Sequence, residues 1–331
     1  MSRTVVVSSY PPRHCGIGAY AATQVARLRE DGQTVTVVSP PDGEGDVRVP
    51  FDSGRPFLAA IKASSRSDRV VVHFQPALYY LPRAPLAKIL ASLALLWLAA
   101  RRPRTEVLVH EADPPKRWRP DYLLLGLALR RATLLFHTQA ERAAFARAYG
   151  PPARARLVAH AEGVRASRRS RNDARRRVGV PEDERLVVCA GFLHPDKGYE
   201  RAVRAFARVG TGRLAVIGGV KDPTPANLAY AARLRALVAS TPGALLIDRY
   251  VSDEEFDAWI EAADVVVLPY RRSWSSGALA RAQALGTRAI VTRVGGLAEQ
   301  ASGGDIVVGT DGQLEEAIRA VLRGEVREAA G

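Results

Sequence analysis

The chain has 331 residues, 47% of them apolar and 7% aromatic, enough to bury the cores of two domains. Its two cysteines, Cys15 and Cys189, lie far apart and exclude a disulfide framework or a cysteine zinc site, so a reducing cytoplasm is expected. The net charge of +14 is uneven: residues 1–164 hold 23 Lys/Arg against 13 Asp/Glu (+10), 165–177 seven Arg against one Asp (+6), and 178–331 18 against 20 (−2). A basic first half beside a near-neutral second half implies different partners for the two, while a merely solvated, Arg-rich surface is the plainer alternative.

The N-terminus has no signal-peptide layout and reads directly as a strand, 4–8. Further strand-length apolar runs follow at 34–39, 69–74, 106–110 and 134–137, then at 186–190, 213–217, 244–247, 264–268 and 288–292. Helical patterns alternate with them at 19–30, 84–100, 139–149, 199–209, 226–239, 254–262 and 314–322. Continuous apolar strands separated by helices predict α/β domains with parallel, doubly wound sheets covered on both faces. The break falls in the Arg-rich stretch without apolar period, giving an N-terminal domain at 1–164, a basic linker at 165–180 and a C-terminal domain at 181–331. The uncharged run from Ile89 to Ala100 is too short for a bilayer, which takes about 20 residues, and reads either as core or as an interfacial helix flanked by Arg101, Arg102 and Arg104.

Chemistry gathers at the strand ends. Gly16 and Gly18 open the first helix directly after the first strand, where free backbone N–H groups face a ligand, although the dinucleotide fingerprint is absent. His110 and Glu111 end one strand and His73 another, and a neutral imidazole can bond a sugar hydroxyl. In the second half, Gly191, Lys197 and Gly198 lie between a strand and a helix, a phosphate site in prospect, and the next strand ends at Gly218-Gly219. The segment from Tyr270 to Glu299 is the most telling. A strand runs into a polar loop, a helix opens at Ser275-Ser276-Gly277, and the following strand ends in Gly295-Gly296 with Glu299 close behind. Small residues at a helix N-terminus hold a diphosphate without a metal.

The ordered set Gly-Ile-Gly, strand-end His, "GFLHPDKG", "IGG", "RYVSDEEFDAWIEAADVVVLPY", "SSGALARAQALG" and "GGLAE" resembles the retaining GT-B glycosyltransferases of family 4 over residues 3–320. The N-terminal "YPPRHCGIGAY" is similar to one branch of that family. The resemblance implies a GT-B fold, an acceptor-binding N-terminal domain and a C-terminal domain that binds a nucleotide-sugar, a co-substrate, with no cofactor and no metal. It implies Lys197 as the phosphate-binding lysine, and Gly16 and Gly18 as the loop facing the donor phosphates. His110 would contact the transferred sugar, the Val251 backbone the base, and the Ser276, Gly277 and Ala278 amides the diphosphate. Glu111 is a candidate sugar-orienting carboxylate within that reading.

The family's two glutamates, separated by seven residues, are here Ser273 and Arg281, and its arginine before "KG" is Phe192; Arg271, Arg272 and Arg249 are candidates to replace that charge, with no choice among them from sequence. The expected function is metal-independent, hexosyltransferase-like transfer of a sugar from a nucleotide-sugar to an acceptor hydroxyl with retention. The alternative is a degenerate GT-B protein that binds a nucleotide or glycan without turnover. The basic half points to an anionic or lipid-linked acceptor and to an anionic membrane surface at the inner face. Nucleic acid is not an expected partner, since no nucleic-acid module accompanies the charge.

Overall fold

The structure, a computed structural model, describes residues 3–80, 84–111, 119–160 and 169–325. The chain divides into two compact units, Met1–Val164 and Arg165–Gly331. The first begins β1 (Arg3–Val7), α1 (Gly16–Glu30), β2 (Thr34–Ser39), β3 (Val47–Arg48), α2 (Arg55–Ala63), β4 (Arg69–Phe74) and α3 (Pro76–Tyr79). It continues with α4 (Pro85–Arg101), β5 (Thr105–Val109), α5 (Pro120–Arg131), β6 (Thr133–Phe136), α6 (Gln139–Tyr149) and β7 (Ala155–Leu157). Its seven strands are all parallel in the order β3-β2-β1-β4-β5-β6-β7, with Val7 opposite both Val38 and Val72.

The second unit runs α7 (Arg171–Val178), β8 (Leu186–Ala190), α8 (Tyr199–Val209), β9 (Arg213–Ile217), α9 (Pro225–Ala239), β10 (Ala244–Ile247) and α10 (Asp253–Ala262). It ends β11 (Val265–Leu268), α11 (Gly277–Leu285), β12 (Ala289–Thr292), α12 (Leu297–Gln300), β13 (Ile306–Val308) and α13 (Asp311–Leu322). Its six-stranded sheet, again parallel, has the order β10-β9-β8-β11-β12-β13. Strands β8, β11 and β12 are buried along their whole length, which is what an apolar run covered by helices on both faces requires. In each sheet the strand order reverses beside the first strand, between β1 and β4 and between β8 and β11. Loops leaving opposite ways there open a crevice at the carboxyl edge, where doubly wound sheets take ligands.

The basic stretch 165–180 differs from its expected role as a linker. Residues 161–168 lie outside the described part, but Ser170 caps α7, and α7 packs on α10 inside the second unit. The arginines are what hold it. Arg175 is buried, bonded to the Ala262 carbonyl (3.1 Å) and to Asp264 (2.9 Å), and Arg171 and Arg185 also reach Asp264. Arg169 pairs with Glu261, Arg177 with Glu254, and Arg176 with Asp173 and Glu182. A helix of this composition shows no apolar period because only Ala174 and Val178 give its packing face to the core and buried Arg175 supplies the rest through polar bonds. Removing one partner of the buried Arg175–Asp264 pair costs about 3–5 kcal/mol.

Candidate functional site

In each unit the candidate residues gather at the carboxyl edge of that unit's own sheet. In the first, α1 starts at Gly16 with Cys15 as N-cap, whose side chain does not cap the helix. A Cβ on Gly18 would come within 3.3 Å of the Ser9 carbonyl carbon and the Tyr10 nitrogen, so the glycine lets the helix start press on the loop after β1. Gly16 has open space around its Cα.

Four neighbouring strands, β4 to β7, each deliver a histidine at or just past their carboxyl ends: His73, His110, His137 and His160. All four rings surround Tyr20 of α1, with centroids 5.4 to 5.6 Å from its own. His73 Nε2 lies 3.0 Å from Gln24 Oε1, and His73 Nδ1 lies 3.0 Å from His110 Nε2. With Gln24 Oε1 as acceptor, His73 donates from Nε2 and accepts at Nδ1. His110 then donates from Nε2 and keeps a bare Nδ1 lone pair. Burial pushes His73 and His137 down to about 3 and His160 to about 4, and it holds His110 well below the ordinary histidine range, with its three neighbours adding to the effect. The cluster is therefore neutral at pH 7: a hydrogen-bonding surface without charge. His137 Nε2, His160 Nδ1 and the Ser8 and Ser9 hydroxyls are buried there without a protein partner among the described residues. Among those residues, no three His, Cys, Asp or Glu side chains converge as metal ligands. Glu111 accepts a bond from Gln75 Nε2 at 3.0 Å, which aims its carboxylate.

The second unit's edge is made of backbone packed on backbone. Gly191 has φ 136°, and a Cβ there would meet the Tyr199 hydroxyl at 2.8 Å; one on Gly218 would lie 2.1 Å from the Gly191 carbonyl oxygen. A Cβ on Gly219 would approach the Arg249 carbonyl carbon at 3.0 Å, so this turn lies against the segment that leads to Val251. Val251 is buried, and its own N–H and C=O bond no other described residue. Lys197 ends a 3-10 turn, Pro195–Lys197, that His194 caps. Its ammonium sits 3.8 Å over the buried Tyr270 ring and, among the described residues, forms no ion pair. A cation held over a ring face is oriented yet still charged.

Helix α11 starts at Gly277 with Ser276 as N-cap, its hydroxyl accepting from the Leu279 N–H. Gly277 and Ala278 keep backbone N–H groups that no described residue accepts. Ser276 is a correction: its N–H is bound to Gln300 Oε1 at 2.9 Å while Gln300 Nε2 donates to the Ser276 carbonyl, so its amide is spent on α12. Gly295 is obligatory, because at its φ of 53° a Cβ would lie 1.7 Å from the Ser273 oxygen. Glu299 stands exposed on the short α12.

The substituted positions are equally explicit. Ser273 turns its hydroxyl to the Ser275 carbonyl at 2.8 Å. Arg281 donates to Asp257 from both Nε and Nη2 and reaches Asp253 at 3.0 Å, so its charge is committed to the two carboxylates of α10. Of the substitutes for the missing arginine, Arg271 is paired with Glu200 and Arg249 is bidentate on Glu255. Arg272 is exposed and, among the described residues, in no ion pair; its backbone N–H lies 3.4 Å from the Asp196 carbonyl, beside Lys197. Sequence reasoning missed Gln24, His137, His160 and Gln75. A histidine at the end of each of three successive expected strands, 69–74, 106–110 and 134–137, was a signal available in the chain.

Residues 184–324 match the family described as Glycosyl transferases group 1. A D-inositol 3-phosphate glycosyltransferase of Acidothermus cellulolyticus is 34% identical over 150 residues, which cover 42% of this chain and 33% of that protein. The chain spans between about a third and a half of the length of the first curated relatives it matches. Among solved structures, the sucrose-phosphate synthase of Thermosynechococcus elongatus superposes with a TM-score of 0.72 at 18% identity, covering 98% of this chain and 90% of that one. Anabaena HepE in complex with UDP-glucose gives 0.70 at 15%, covering 98% and 91%. At such identities the likeness is one of fold: two Rossmann-like α/β domains with parallel sheets of seven and six strands, as in GT-B glycosyltransferase structures.

Proposed function

We propose that this protein is a retaining glycosyltransferase that moves a sugar from a nucleotide-sugar to an acceptor hydroxyl without a metal. The observation that carries the reading is the uncommitted cation Lys197, held over Tyr270, in the same edge as the open Gly277 and Ala278 amides. In the step proposed, the bond from the anomeric carbon to the diphosphate oxygen breaks and the acceptor oxygen forms its bond on the same face. The acceptor proton passes to the leaving diphosphate. The protein's task is then positioning plus stabilisation of the departing charge. In the second unit, Lys197, Arg272 and the α11 start meet the diphosphate; in the first, Gly16 and Gly18 present backbone donors at the start of α1. Val251 offers backbone to the base. His110 Nδ1 accepts a hydroxyl of the transferred sugar, and Glu111, steadied by Gln75, orients it. The acceptor is anionic or lipid-linked, in keeping with the +10 of residues 1–164.

A second reading, binding of a nucleotide or glycan without turnover, is favoured by Ser273 and Arg281 being tied up internally where the family carries glutamates. One experiment separates the two. Nucleotides and nucleotide-sugars are screened for thermal stabilisation, where a ligand at 100 times its Kd adds about 2.7 kcal/mol. The best donor is then incubated with candidate acceptors and EDTA, and the anomeric configuration of any product is read by NMR. Stabilisation with an α-linked product from an α-donor supports transfer; stabilisation without sugar release supports the binding protein. Turnover that EDTA abolishes and a divalent ion restores rejects the metal-free site.

A further inference from the structure

The first unit carries an apolar face that no described element covers. On α4, Leu86, Leu90, Leu93 and Trp97 recur every three or four residues along one side, and on α5 Leu123 and Leu127 do the same. These six side chains are between 42 and 67% exposed. They are six of the nine large apolar side chains exposed among the described residues, so the exposure is concentrated and not scattered. The opposite side of α4, with Ala91, Leu95 and Leu98, is fully buried, and the Ser92 hydroxyl donates to the Asp121 carbonyl at 3.0 Å, fastening α4 to α5. The sequence left open whether 89–100 was core or interfacial; one side of the helix is buried and the other exposed.

Charge says what covers this face. Helix α4 has no acidic residue, and the only one on α5, Asp121, is buried and bidentate on Arg119. In a parallel sheet the connecting helices both run back against the strands, so α4 and α5 end towards the same edge of the sheet, where Arg101, Arg130 and Arg131 are exposed. Arg101 lies 5.5 Å over the Trp97 ring, the pairing of aromatic and cation suited to a headgroup layer. Arg102 does not belong to the set: it is bound to the Ile61 and Ser64 carbonyls and closes α2 instead. A second copy seated here would set like arginines against an apolar partner with no acid to answer them.

We propose that the α4–α5 face docks on an anionic bilayer surface, with the leucines and Trp97 among the upper acyl chains and Arg101, Arg130 and Arg131 among the headgroups. No described helix is long and apolar enough to cross a membrane, so the contact is peripheral. The inference extends the acceptor side of the proposed function, but its assay contains no donor, so the failure of one leaves the other standing.

The test is co-sedimentation of the full chain with vesicles of phosphatidylcholine alone and of equimolar phosphatidylcholine and phosphatidylglycerol, across a salt series. Recovery with the anionic vesicles should exceed that with neutral ones and fall as salt shortens the Debye length. The exposed double variant Leu86→Ser/Leu93→Ser should lower the partition on the order of tenfold while melting like the parent. Arg130→Ser/Arg131→Ser should lower it roughly tenfold on anionic vesicles alone. Equal recovery with both vesicle types, no recovery, indifference to salt, or unchanged partition of both variants overturns the proposal. So does a light-scattering mass of two chains that reverts to one in Leu86→Ser/Leu93→Ser, which assigns the face to a second copy.

Discussion

His73 and His110, one strand apart, share a single hydrogen bond of 3.0 Å, and the far side of His73 is closed by Gln24. A glutamine oxygen on α1 thereby decides which nitrogen of His110 is bare. Nitrogen chemical shifts should show His73 and His110 both protonated at Nε2. In Gln24→Met the two rings lose that constraint and populate both tautomers. Turnover should then fall about tenfold with little change in donor KM, the size expected for one neutral hydrogen bond made best in the transition state. Gln24→Glu keeps an acceptor and should keep the tautomer. Single, unchanged tautomers in Gln24→Met would refute the relay.

The same cluster fixes a pH dependence. The folded histidines lie near 3 to 4 and the unfolded ones near 6.5. The unfolded chain thus binds protons that the folded one refuses. Stability is fully present above about pH 6.5 and declines as pH falls toward 4, by up to about 1.4 kcal/mol per pH unit for each group. Urea midpoints at about pH 7, 6 and 5 should fall steadily, and His137→Asn should flatten the slope. A midpoint that holds through this range would show the rings reach solvent.

Lys197→Ala should weaken nucleoside diphosphate binding roughly ten- to hundredfold, the worth of one charge-assisted hydrogen bond. Arg272→Ala should lose about fivefold, being more exposed. Arg271→Ala, whose cation already serves Glu200, should lose less than either. Calorimetric titration of the three variants checks the order, and a dominant effect at Arg271 would reassign the second cation.

Arg281→Ala should destabilise the second unit by about 3 kcal/mol, since it strands the buried Asp257 carboxylate. Its nucleotide affinity should match the parent's. If affinity drops while the melting temperature holds, Arg281 meets a phosphate after all.

Most of the sheet architecture was legible because buried parallel strands must be continuous apolar runs; 34–39, 69–74, 186–190, 213–217 and 244–247 coincide with β2, β4, β8, β9 and β10. The edge strands β3, β7 and β13 were not, being two or three residues long and, Val308 apart, half-exposed or exposed. Helix α5 escaped because leucines cover both its faces, blurring the period. In the site, glycines and Lys197 announce themselves by type and place. Partnerships do not: Gln24 with His73, Gln300 with Ser276 and Asp257 with Arg281 lie 24 or more residues apart, and no local pattern joins them.

Helix α7 has a bearing on where the polypeptide can be severed. A fragment starting at Val180 would discard every arginine of that helix and leave Glu261 and much of the Asp264 charge unanswered beside a buried strand. One starting before Arg169 keeps the acids answered. The natural seam of this molecule is therefore electrostatic and lies ahead of the arginines; for anyone dissecting the halves, those residues are cargo of the second.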